Sequence, residues 1–225
     1  MSKRYSPLTK QVNNVKKFSI SFSIIILLMS CQKSTNDWIN ITPGPNLEGW
    51  TRINIPPEAP LSDVQQWFVD PETNAVRCNG KGGHEWLRYD ESEFSNFIFH
   101  VEWKFEKIDG EPKYNSGVYV RNNADGTIWH QGQTGDGSGG YLFGKSLVNG
   151  DPVRSSTKDQ MAENPVKPAG EWNTFDITCK GSTLSMVANG TQTVVWEDCE
   201  VSQGFVGLEA EGYAVEFRNL RIKKI

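Results

Sequence analysis

The stretch Asn115–Gly144, NSGVYVRNNADGTIWHQGQTGDGSGGYLFG, decides how the rest of the chain is read. It holds two short strand-like runs, Gly117–Arg121 and Thr127–Gln133, separated by the turn sequence Asn123-Ala124-Asp125-Gly126. Strand side chains alternate between faces with a period of two, so Val118 and Val120 pointing into a core send Tyr119 and Arg121 to the other face. A face made of Arg, Tyr, Trp, His and Gln packs a core poorly. It suits a flat, polyhydroxylated ligand, because aromatic rings cover C–H faces while amides and guanidinium groups reach hydroxyls. Tyr119 and Trp129 are therefore candidate platforms. Arg121, His130, Gln131 and Gln133 are candidate polar contacts, with Asn115 and Tyr141 toward the two ends of the stretch. The glycine-rich run from Gly132 to Gly140 lacks the Lys-Ser/Thr of a phosphate loop and reads as a lip over a groove.

Working outward, the chain shows short β-branched and aromatic runs punctuated by turn signals, the pattern of an all-β sandwich or barrel. The clearest is Phe97–Glu106, in which Phe97, Phe99, Val101, Trp103 and Phe105 alternate with Ile98, His100, Glu102, Lys104 and Glu106. One face is apolar and belongs in a core; the charged face should point outward or into a groove, which adds Glu102 and Lys104 to the binding candidates. Thr174–Cys179, Thr183–Val187 and Thr191–Trp196 form a meander with turns at Lys180-Gly181 and Asn189-Gly190, the second a strong type I′ hairpin signal. Phe205–Ala210 and Ala214–Ile222 read as closing strands. No helical periodicity runs for a useful length.

The first thirty residues read differently. Lys16 and Lys17 precede an apolar run, Phe18 to Met29, too short to span a bilayer comfortably. It ends in Leu28-Met29-Ser30-Cys31, which has the form of a bacterial lipobox. The sequence thus divides into a lipoprotein signal peptide (1–30), a tether (31–37) whose Cys31 is lipidated, and one domain (38–225), held at the cell envelope by lipid alone. Five of the 23 Lys and Arg precede Cys31 and none of the 27 Asp and Glu does, which leaves −9 on the remainder. That balance argues against nucleic acid and anionic membrane surfaces as partners. Cys78, Cys179 and Cys199 have neither the number nor the spacing of a disulfide framework or a CxxC metal site, and read as small buried hydrophobes.

In Leu208-Glu209-Ala210-Glu211, core positions for Leu208 and Ala210 turn Glu209 and Glu211 to one face, roughly 7 Å apart. Two carboxyls at such a spacing suit glycoside cleavage, where neighbouring charges that raise one pKa make an acid/base pair. His130 is one of three histidines, with His84 and His100. No His/Cys/acid spacing matches a metal motif, and any metal is left unassigned.

The residues from Asp37 onward resemble the 3-keto-disaccharide hydrolase family, also described as 3-keto-glucoside 1,2-lyases and 3-keto-2-hydroxyglucal hydratases. The resemblance is carried by Gly49-Trp50, Trp86-Leu87-Arg88, Asn115–Arg121, Lys167-Pro168-Ala169-Gly170-Glu171-Trp172-Asn173 and Phe217-Arg218-Asn219-Leu220. It implies a concanavalin-like jelly-roll sandwich with a concave, sugar-facing sheet. It also implies a substrate already oxidised at C3 by a separate oxidoreductase, since no nicotinamide fingerprint is present. A C3 ketone acidifies the C2 proton, so a base removes it and the C1 substituent leaves. The reaction needs a base, an acid and donors for the enolate oxygen. His130, Glu209 and Glu211 are candidates for base or acid; Arg121, Lys104 or a divalent cation for the enolate. The alternative is a non-catalytic carbohydrate-binding module on the same fold. An enzyme should put titratable groups at the deepest point of the groove, a module only aromatic platforms and amides.

Overall fold

The computed structural model describes Met1 and residues 37–111, 113–135 and 138–225. The expected signal peptide, Cys31 and nearly all of the tether lie outside the described residues. Among those described there are fifteen strands: β1 (Ile39–Asn40), β2 (Trp50–Asn54), β3 (Trp67–Val69), β4 (Val76–Cys78), β5 (His84–Tyr89), β6 (Phe97–Phe105), β7 (Ser116–Asn122), β8 (Trp129–Thr134), β9 (Leu142–Val148), β10 (Asp151–Ser156), β11 (Asn173–Lys180), β12 (Thr183–Ala188), β13 (Thr191–Trp196), β14 (Phe205–Glu211) and β15 (Val215–Lys224). The only helical element among them is one 3₁₀ turn, Lys158–Gln160.

The strands form two antiparallel sheets. One runs β13-β12-β11-β6-β15-β4-β3, with β1 pairing β15; the other runs β10-β9-β8-β7-β14-β5-β2. The fold is a concanavalin-like jelly-roll sandwich. Its core follows from period-two alternation. Phe97, Phe99, Val101, Trp103 and Phe105 of β6 are all buried, as are Phe175, Ile177 and Cys179 of β11 and Val206, Leu208 and Ala210 of β14. Trp103 packs edge-on against Phe105 and Phe175 at 5.5 and 5.2 Å between ring centroids. All three cysteines of the domain are free and buried.

The β12–β13 link has Asn189 at φ 48° and Gly190 at φ 84°, the two left-handed residues that a type I′ turn requires. The β11–β12 turn falls one residue later than the sequence suggests, because Lys180 still pairs with Thr183 and leaves Gly181-Ser182 as the loop. The turn Asn123–Gly126 closes with Gly126 N–H donating to the Asn123 carbonyl at 3.1 Å.

Candidate active-site cleft

A cleft of about 230 Å³ opens on the outer face of the β14 sheet. Its floor comes from the two-residue period of β14. With Val206, Leu208 and Ala210 committed to the core, Glu209 and Glu211 face the cleft, Glu209 buried and Glu211 half-buried. Antiparallel pairing with β5 sets His84 directly across from Glu211 and Trp86 across from Glu209. On the other side β7 pairs Tyr119 with Gly207 and Val118 with Leu208. Continuing that register puts Gly117 beside Glu209. A Cβ on Gly117 would collide with the Gln131 side chain, so the glycine is the gap through which Gln131 slants from β8 toward Glu209.

Glu209 is consequently the hub. Its Oε1 accepts from the Tyr119 hydroxyl at 2.5 Å and lies 2.9 Å from His84 Nε2; its Oε2 accepts from Gln131 Nε2 at 2.7 Å. Its backbone carbonyl accepts from Ser116 Oγ at 2.7 Å. The network continues outward: Gln131 Nε2 donates to Gln133 Oε1 at 3.2 Å, and Gln133 Nε2 donates to Asn115 Oδ1 at 2.6 Å. An aromatic wall leads away from the carboxylates. Tyr119 meets Trp86 and Trp129 edge-on at 5.5 and 6.1 Å, and Trp129 meets Phe143 at 5.0 Å.

The electrostatics follow from this packing. Burial and the neighbouring Glu209 charge raise the Glu211 pKa above the usual carboxylate range, against the pull of His84 and a hydrogen bond from Asn115. Burial works to lower the His84 pKa, but the hydrogen bond to Glu209 and the charges of Glu209 and Glu211 outweigh it and the net shift is upward. Burial, then the Glu209 charge, holds the Tyr119 phenol well above its ordinary value, so it remains a donor.

The sequence-based candidates divide sharply. Tyr119, Trp129, Gln131, Gln133, Asn115, Glu209 and Glu211 all line this cleft. Tyr141 lies in an adjoining depression shared with Asn115 and Gln133. His130 does not join them. Neighbouring strand residues cannot share a face, and with Trp129 and Gln131 in the cleft His130 points into the sandwich, fully buried. There its Nε2 is 2.9 Å from Ser146 Oγ and 3.4 Å from Cys199 Sγ, and burial pulls its pKa down to about 4.

Arg121 is also a correction. It sits at φ 50°, where the β7–β14 register shifts from the pair Tyr119–Gly207 to the pair Asn122–Phe205. This bulge re-aims the strand. It puts Asn122 in the cleft and drives the Arg121 guanidinium inward. The guanidinium donates to the carbonyls of Ser95, Gly181 and Val201, the last two at 2.8 and 3.0 Å.

Glu102 and Lys104 do face outward, as alternation requires, but β6 belongs to the other sheet. Glu102 accepts from Arg218 Nε and Asn219 Nδ2, both at 2.6 Å, and Lys104 pairs with Glu216 at 3.4 Å, on the far side of the core from Glu209.

The sequence reading missed His84, Trp86, Asn122, Phe143 and Arg154 as cleft residues. For His84 and Trp86 a signal existed, since His84-Glu85-Trp86-Leu87-Arg88-Tyr89 alternates. What it lacks is any hint that β5 pairs with a strand some 120 residues away.

His84 Nε2 and one oxygen each from Glu209 and Glu211 lie within 4.8 Å of one another. Imidazole plus two carboxylates is a donor set that fits a divalent cation, and it is the one such grouping among the described residues.

A jelly roll whose one sheet carries an acid-floored, aromatic-walled cleft has the build of a carbohydrate-active protein. Its fold is similar to that of the carbohydrate-binding module CBM66 from Bacillus subtilis, at TM-score 0.56 and 14% identity over 78% of this chain and 96% of that one. It is similar also to a β-glucanase from Bacillus licheniformis, at TM-score 0.52 and 10% identity over 86% of this chain and all of that one. No curated protein matches the chain in sequence. The chain belongs to the 3-keto-alpha-glucoside-1,2-lyase-like domain family, whose model matches residues 37–223.

Proposed function

We propose that this protein cleaves glycosides oxidised at C3, by elimination across C1–C2 followed by addition of water. The observation that carries the reading is the convergence of His84, Glu209, Glu211 and Tyr119 at the acid floor of the cleft, where a purely binding face would offer only rings and amides.

In the elimination, a base takes the C2 proton, the C3 carbonyl oxygen gathers the charge, and the C1–O bond breaks as the leaving oxygen is protonated. Glu209, fixed by Tyr119 and Gln131, orients His84 through Nε2 in the way a carboxylate orients a catalytic imidazole, so the Glu209–His84 pair is the base. Glu211, with its raised pKa, holds the proton for the leaving group. Trp129 supplies the face on which a sugar ring rests. In place of these proton-transfer roles, His84, Glu209 and Glu211, with Glu211 ionised, would hold a divalent cation, which would supply Lewis-acid stabilisation of the enolate oxygen.

The test is incubation of the pure domain with a 3-keto-glucoside and its unoxidised parent. Turnover of the ketone alone supports elimination; equal turnover of both replaces it with two-carboxylate hydrolysis. Binding without turnover of either leaves a carbohydrate-binding module, a reading that the Tyr119–Trp129–Phe143 wall favours.

We also place the protein at the cell envelope, anchored through Cys31, on the strength of Leu28-Met29-Ser30-Cys31. A Cys31→Ser variant that stays with membranes after washing would refute the anchor.

A further inference from the structure

The cleft has a second, oppositely charged end. Arg154, on the edge strand β10, lines it together with Glu209 and Glu211. Its guanidinium carbon lies 5.6 Å from the Trp129 ring centroid and 5.1 Å from that of Phe143, within cation–π range of both rings, on an exposed side chain. Lys145 of β9 pairs across the ladder with both Arg154 and Trp129, and therefore shares their face.

Among the other described arginines, all but Arg221 have polar partners. Arg52 is bound to Glu85, Arg77 to Asp70 and Glu216, Arg88 to Asp90, and Arg218 to Glu102, while Arg121 binds carbonyls. Arg221 stacks on Trp38, on the other sheet. Among the described residues, Arg154 and Lys145 have no carboxylate partner within ion-pair distance. Two unpaired cations on the cleft face of a domain with an excess of acids point to an anion that arrives with the ligand.

We propose that the glycoside carries an anionic group, a carboxylate or a sulfate, on its leaving-group unit, and that Arg154 recognises it with Lys145 adding to the local field. This rests on the reading that the cleft takes a glycoside. The planar guanidinium fork matches two oxygens of a carboxylate or sulfate, and the neighbouring rings favour its charge. The same charge layout sets direction. The Glu209 carboxylate repels an anion from the acid floor while Arg154 attracts it, so the keto unit is left against the Glu209–His84 pair and the acidic unit against β9 and β10.

The test compares three unoxidised β-1,4-linked disaccharides that differ only at C6 of the reducing unit: hydroxymethyl (cellobiose), carboxylate, and sulfate ester. Binding is measured by calorimetry at low and at high salt, on the wild type, Arg154→Gln and Arg154→Lys. At least one anionic sugar should bind about tenfold tighter than cellobiose at low salt, the scale of one charge-assisted bond. The preference should shrink with salt, fall to about one in Arg154→Gln and return in part in Arg154→Lys. The tighter of the two anions assigns the group. Equal binding of all three, or a preference that survives Arg154→Gln, overturns the inference. Because binding is read without turnover, the result stands apart from the elimination chemistry; turnover of 3-keto-cellobiose with no anionic preference would sink this proposal alone.

Discussion

On the outer face of the β6 sheet, Glu102 meets Arg218 and Asn219, Lys104 meets Glu216, and His100 meets Asp176 at 2.7 Å. On the outer face of the β14 sheet, Glu209 bonds the His84 imidazole with Glu211 close by, and Arg154 lies against Trp129 and Phe143 with no carboxylate partner among the described residues. Both faces hold acids, cations, a histidine and tryptophans. They differ in pairing. On the first, opposite charges stand across from each other and largely cancel, a surface ladder worth little to stability. On the second, two carboxylates converge on an imidazole, and burial together with the Glu209 charge raises the Glu211 pKa, an arrangement enriched at functional sites.

The largest effect expected from this contrast is on rate. Glu209→Gln should lower turnover of a 3-keto-glucoside by about 10²- to 10⁴-fold, and Glu102→Gln by less than about twofold, with both variants folded. A comparable loss in Glu102→Gln would erase the distinction between the faces. The same Glu209→Gln change should bring the His84 pKa, followed by NMR, back down from its raised value.

Next comes the layer between the faces. Phe99→Ala should cost roughly 3 to 5 kcal/mol in chemical denaturation, and spectroscopic reporters on the two sheets should unfold in one transition. Two separate transitions would mean that the faces belong to independent units.

The two histidines of the β14 sheet sharpen the comparison further. His130, buried behind the cleft, has its pKa lowered to about 4, whereas His84 in the cleft is raised. An unfolded chain takes up a proton on His130 near pH 6.5 while the fold resists until about pH 4. His130 therefore contributes stability above pH 6.5 that is lost as pH falls toward 4, about 3 kcal/mol in all. Replacing His130 with Gln should flatten that part of the stability profile and leave the pH dependence of turnover in place. A changed rate profile would put His130 into the chemistry after all.

The smallest effect is expected at Gly117. Gly117→Ala should push Gln131 off Glu209 and cut turnover about tenfold, with little change in the denaturation midpoint. A variant with full activity would show that the Gln131 contact does not position the carboxylate.

Period-two alternation made most of this architecture legible in the chain. It sorted Phe97–Phe105 into a buried row and a charged row, and it turned Glu209 and Glu211 the same way. Applied one residue further, it would also have removed His130, which cannot face the cleft beside Trp129 and Gln131. What alternation does not carry is which sheet a strand joins and where the period breaks. Glu102 and Lys104 point outward on the wrong side of the sandwich, and His84 reaches Glu209 only through strand order. Arg121 escapes because a left-handed residue in mid-strand leaves no mark in the local pattern when the residue is not glycine.

The inward turn of Arg121 has a kinetic consequence. Its guanidinium binds carbonyls 26, 60 and 80 residues away in the chain, at Ser95, Gly181 and Val201. These bonds need three distant connections in place around the guanidinium, so the cluster is expected to close after the main folding barrier. Arg121→Ala should accordingly speed unfolding far more than it slows refolding. On that account the guanidinium is a latch, setting how long a folded molecule survives rather than how quickly one forms.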